Sequence, residues 1–187
     1  MLVSSVRHLR QRAEIAWTQA PAWLIVSPLV LLGAVLRFYR IESNGLNLDE
    51  AWSLWMVKHS TVDIVRKIWF ESGDATPPTY YVLLHGFISL GDGLVALRAL
   101  SVIAGALTVW LVFRLAADLF GPRAAALSAF LVAIAPLQIE YSQEARAYAL
   151  AQLLDVLSLY FLARLLLGDG QRRNWVGSGA PHEVGNG

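Results

Sequence analysis

The sequence contains no cysteine. Disulfides, zinc–thiolate centres and cysteine-held iron–sulfur clusters are thereby excluded, and the redox compartment is left undetermined. Charge is scarce too: Asp, Glu, Lys and Arg make up 16% of the 187 residues, against about 25% in soluble domains. The 15 basic and 14 acidic residues leave a formal net charge of +1, which gives no basic footprint for nucleic acid. Four signatures are missing as well: G-x-x-x-x-G-K-[ST], G-x-G-x-x-G after a strand, G-x-S-x-G and H-E-x-x-H. P-loop nucleotide hydrolysis, hydride transfer and zinc proteolysis therefore lack support.

What is present is apolar. Hydrophobic residues make up 56% of the chain, with seven Trp and six Tyr. A soluble fold of this length has too much surface to hide that fraction, and a disordered chain would not carry it. Residues 15–36 hold no charge over 22 positions, enough to cross about 30 Å of hydrocarbon. Arg37 and Arg40 follow directly, so a retained anchor is expected rather than a cleaved signal. The spacing of apolar runs predicts an all-α fold with about four membrane helices, near 21–39, 96–118, 124–140 and 147–167. Together residues 21–167 form one membrane module. A fifth run, PPTYYVLLHGFISL, opens on two prolines and is too short for a span, as runs of about 10–14 apolar residues usually are.

Four spans give a consistent charge pattern. With residues 1–20 as a cytoplasmic N-terminus, Arg7, Arg10, Arg12, Arg114, Arg123, Arg164, Arg172 and Arg173 all fall inside, as the positive-inside rule asks of short loops and tails. Glu42, Asp49, Glu50, Glu71, Asp74, Glu140 and Glu144 fall outside. The expected location is therefore the cell (inner) membrane, multi-pass, with residues 40–95 forming a long first outer loop. That loop reads as juxtamembrane helices. Trp52, Trp55, Met56 and His59 share one helical face, Ser60 and Asp63 are spaced as a capping box, and Ile64, Val65, Ile68 and Trp69 form a second stripe. Such Trp-bearing amphipathic segments suit a membrane interface. Residues 168–187 contain six glycines without periodicity and are expected to be a disordered tail.

Several polar groups have two readings each. Asp49 and Glu50 begin a helix after the Asn44-Gly45 turn; they are either catalytic carboxylates, with partial burial favouring a general base, or helix N-terminal acids that complement the macrodipole. Arg146, in YSQEAR after the third span, is either a phosphate ligand or a snorkelling anchor. The tyrosines of DATPPTYY either line a cleft or form an aromatic belt. Asp155, deep in the fourth span, is either a functional charge or a hydrogen-bonded structural one.

The stretches NLDEAWS, DATPPTYYVLLH, ALRALSVIAGALTVWLVFRLAADLFG and IEYSQEARAYAL, taken in order, resemble the N-terminal part of glycosyltransferase family 39. This is a protein mannosyltransferase-like GT-C family, related to the aminoarabinose transferases. The resemblance covers residues 38–167 and implies a GT-C-like N-terminal module. It implies transfer of a sugar from a polyprenyl-phosphate donor in the membrane lipid to an acceptor hydroxyl, of unspecified identity, on the outer face. It places Asp49 and Glu50 at the reacting centre and Gln143, Glu144 and Arg146 among the further polar groups, and with Arg98, and with Asp74 and Tyr80 of the DATPPTYY stretch, these make the expected donor- and substrate-binding set. Relatives often carry a basic residue or His before the Pro-Pro pair; here Thr76 stands there, which leaves a donor phosphate to Arg98 or Arg146.

A lipid-linked donor accounts for the missing nucleotide loop, since one carboxylate and one guanidinium suffice for proton removal and leaving-group charge. No cofactor signature is found, and a divalent metal beside Asp49 stays open. Family members continue through further spans, so a truncated piece of such an enzyme is expected here. The alternative is a non-catalytic multi-span scaffold or transporter fragment in which Asp155 is the working charge.

Overall fold

A computed structural model describes residues 21–43, 45–71, 76–89, 91 and 93–177, the last ten as backbone. Asp74 and the expected cytoplasmic N-terminus 1–20 lie outside the described residues. Every regular element among those described is helical: α1 Ala22–Phe38, α2 Leu48–Val57, α3 Thr61–Arg66 continued by a π turn Lys67–Glu71, α4 Pro78–Ile88, α5 Leu94–Phe120, α6 Pro122–Ile134, α7 Pro136–Ser142 and α8 Tyr148–Gly177. The expected all-α membrane fold is found.

Among the described residues, two helices are long and apolar enough to cross a membrane, α5 and the Tyr148–Leu167 part of α8. The pair α6 and α7 passes the same test as one bent span. The 17 residues of α1 reach about 25 Å at 1.5 Å per residue. The 11 residues of α4 reach only about 16 Å, so this segment is too short to cross. Two expectations need correction. The third span is not continuous over 124–140: it breaks at Ala135 with a bend of 59°. Ala135 is extended at φ −61°, ψ 120°, because the ring of Pro136 disfavours helical geometry in the residue before it. Nor is the chain irregular from Gly168, since the backbone of α8 stays helical to Gly177.

Two cores hold the helices. In the first, Val26 of α1 meets Val109, Phe113 and Ala116 of α5 and Ala125, Ala129 and Ala133 of α6. The alanines recur every four residues on one face of α6, and such small side chains let membrane helices approach closely. Gly121, at φ 87°, supplies the left-handed turn that reverses the chain from α5 into Pro122 at the start of α6. The second core lies at the other end of the bundle. Met56 and Val57 of α2, Ile64 of α3, Ile68 of the π turn, Tyr80, Tyr81 and Leu84 of α4, and Leu97 and Leu100 of α5 bury one another there. His85 joins α4 to α2 through its Nδ1, 2.6 Å from the Val57 carbonyl, so it is a packed histidine. Ser60 caps α3 as its spacing predicts, accepting from the Asp63 amide at 3.2 Å. The second apolar stripe splits: Ile64 and Ile68 enter the core, whereas Val65 and Trp69 stay outside.

Candidate functional site

The C-terminal end of α1, the N-terminal ends of α2 and α5, and the α7–α8 turn meet at one end of the bundle. Its centre is a buried ion pair. Glu50, in the first turn of α2, accepts from Arg98 of α5: Nε to Oε1 at 2.7 Å and Nη2 to Oε2 at 2.6 Å. The same carboxylate accepts the amides of Ala145 at 2.9 Å and Asn47 at 3.2 Å. Arg98 also donates to the carbonyls of Ile41 and Gly45. Burial alone would push the Glu50 carboxyl up, but the Arg98 and amide hydrogen bonds outweigh it and hold the group below its ordinary value. One residue earlier, the Asp49 side chain is 66% exposed and lies 3.9 Å from the Arg146 guanidinium. Arg146 in turn sits over the Tyr148 ring.

Beside this cluster lies a groove of about 470 Å³, lined by Asn47, Arg98, Ile134, Pro136, Ile139, Glu140, Gln143 and Glu144. It opens where α6 and α7 bend apart. Desolvation is the main reason the Glu144 carboxyl is raised above its ordinary value; the negative charges of Glu50, Glu140 and Asp49 add to it, and Arg146 opposes them. The groove thus offers a carboxyl inclined to hold a proton, with the Asp49–Arg146 pair nearby.

Six expected site residues therefore converge: Asp49, Glu50, Arg98, Gln143, Glu144 and Arg146. Three of these, and Tyr80 besides, are situated otherwise than expected. Glu50 is only 1% exposed and its oxygens are taken by Arg98 and two amides, so it is a structural anion rather than an accessible base. Asp49 lacks the expected partial burial. Gln143 donates its amide nitrogen to the carbonyls of Arg37 at 3.1 Å and Tyr39 at 2.9 Å, so that end of the side chain caps α1. Tyr80 is 2% exposed and lies beneath the site rather than lining a cleft, because its face of α4 is the one buried in the second core. Burial keeps its phenol protonated well beyond the ordinary tyrosine range. Asp74 lies outside the described residues. No three His, Asp or Glu side chains converge as a metal-binding cluster among the described residues, so the metal left open beside Asp49 has no such ligand set there.

Sequence reasoning missed Arg37. It reads as a flank of the first span, yet it is 1% exposed. Its Nε donates to Ser142 Oγ at 3.1 Å, and its terminal nitrogens donate to the carbonyls of Gly33, Ala133 and Val132. The available signals were Pro136 inside an apolar run and Gly105 opposite it. A Cβ on Gly105 would stand 2.2 Å from Ser142 Oγ and 2.6 Å from Arg37 Nε.

The described residues thus form an all-helical membrane protein with a cluster of charged side chains at one end of its helix bundle. Residues 75–185 match the profile of the dolichyl-phosphate-mannose-protein mannosyltransferase family, more than half of the 187 residues. The chain belongs to this family of membrane glycosyltransferases. No protein of curated function and no solved structure matches it.

Proposed function

We propose that the chain forms the acceptor-activating part of a glycosyltransferase that takes a sugar from a polyprenyl-phosphate donor at the outer face of the cell membrane. The observation that carries this reading is the placement of an exposed carboxylate, Asp49, 3.9 Å from a guanidinium, Arg146, each two residues along the chain from a residue, Asn47 or Glu144, that lines the groove of about 470 Å³. In this reading the acceptor hydroxyl gives its proton to Asp49 as its oxygen attacks the anomeric carbon. The bond from that carbon to the phosphate oxygen breaks, its electron pair leaves with the phosphate, and Arg146 meets the developing charge. A single displacement inverts the anomeric centre. Buried Glu50 holds Arg98 and the Ala145 amide, and so ties α2 to α5 and to the α7–α8 turn.

The family match supports the sugar-transfer chemistry, and the apolar bent pair α6–α7, which supplies Ile134, Pro136 and Ile139 to the groove wall, supports a donor that arrives through the bilayer. The test is sugar transfer by Asp49→Asn, against the parent protein, in liposomes carrying a polyprenyl-phosphate mannose. A fall of about 10²–10⁴-fold with an unchanged melting temperature is expected for a lost general base. Undiminished transfer removes Asp49 from the mechanism.

A further inference from the structure

The bent span takes hydrogen-bond donors from another helix. In a continuous helix the Val132 carbonyl would accept from the amide four residues on. That residue is Pro136, which has no N–H. The 59° bend also takes the Ala133 carbonyl away from its helical partner. Unpaired carbonyls are costly away from water. Here Arg37 reaches across from α1 and donates to both, at 3.2 Å each. Its third contact fixes Ser142 at the end of α7, and Ser142 Oγ in turn donates to Gln138 at 2.6 Å. The next residue, Gln143, returns the connection by capping the carbonyls of Arg37 and Tyr39.

We propose that Arg37 is a positioning residue: its guanidinium replaces the amide donor that Pro136 lacks, and so holds the α6–α7 bend at the angle that sets the 143–146 turn against Glu50. The planar fork matters, since one guanidinium serves Ser142, Val132 and Ala133 together, where an ammonium is a single point on a flexible stem. Gly105 is the accommodation for it, leaving room on α5 that any side chain would fill. The bend is then not a defect of the span. It aims the end of α7 so that the Ala145 amide reaches Glu50 Oε1 at 2.9 Å and the Arg146 side chain reaches Asp49. This inference draws on the proposed transferase reading only for what the turn serves; its test needs no activity.

The test uses the full chain in lipid nanodiscs, with two readouts: the thermal unfolding midpoint and hydrogen exchange at the Ala145 amide. Arg37→Met should lower the midpoint and speed exchange at Ala145 by tenfold or more, as loss of a protecting bond does. Pro136→Ala restores an N–H at the break. Added to Arg37→Met it should recover the midpoint while leaving Ala145 fast, because a straightened helix carries the turn away from Glu50. Unchanged exchange at Ala145 in Arg37→Met overturns the proposal. So does a double variant no more stable than Arg37→Met alone, including the case in which neither folds.

Discussion

Glu50 and Arg98 are joined by two hydrogen bonds of 2.7 and 2.6 Å with their side chains 1% and 2% exposed. Asp49, the adjacent residue, faces solvent. Neighbouring carboxylates have thus been given opposite situations by a single residue step along α2, since successive residues on a helix point about 100° apart. One binds the fold together and the other stays exposed beside Arg146.

The buried pair should be costly to break from one side. Glu50→Gln leaves Arg98 an uncompensated charge, and a loss of about 3–5 kcal/mol is expected, measured by chemical unfolding in detergent. The same variant reports on pH. Because the folded Glu50 carboxyl lies below its ordinary value, its contribution is complete above the unfolded carboxylate range, about pH 4.3. It is lost as pH falls further, through the folded value. Glu50→Gln should therefore show a shallower acid-induced loss of stability than the parent.

Glu144 carries the opposite sign. Its raised value, caused by desolvation and then by its acidic neighbours, means that ionisation at neutral pH opposes folding. Glu144→Gln should raise the unfolding midpoint at neutral pH. The advantage should shrink as pH falls through the folded Glu144 value, and vanish below the unfolded one. A midpoint difference that stays constant across that range would remove Glu144 from the electrostatics of the site.

Gly105→Ala tests the close approach of Arg37 to α5. The added methyl meets Ser142 Oγ and Arg37 Nε far inside van der Waals distance. Overpacking of about 1–3 kcal/mol is the expected cost, despite alanine's better helix propensity. A stability equal to the parent's would show that the Arg37 side chain is free to leave.

The sequence shows the long elements because hydropathy runs are local. Residues 96–118 and 147–167 are apolar enough for the spans of α5 and α8 to be placed, and the Ser60–Asp63 spacing announces the start of α3. The juxtaposition of Asp49 with the YSQEAR stretch was legible only through parity: an even number of crossings returns the chain to the same face. What stayed hidden depends on three-dimensional donors and acceptors. Nothing local distinguishes Arg37, buried among carbonyls, from Arg40 three residues later. Pro136 marks the break of the third span, but an apolar run on both sides of it masks the bend. Asp49 and Glu50 look equivalent in sequence, and only the position of Arg98 separates their roles.

The central claim is that the α1–α2 and α7–α8 connections share one membrane face. Because the chain has no cysteine, single cysteines at the exposed positions Leu48, Glu140 and Phe120 can be read with a membrane-impermeant maleimide on sealed, oriented vesicles. The account predicts that Leu48→Cys and Glu140→Cys label from the same side, and Phe120→Cys from the other. Labelling of positions 48 and 140 from opposite sides would contradict it, and would leave Asp49 and Arg146 without a common site.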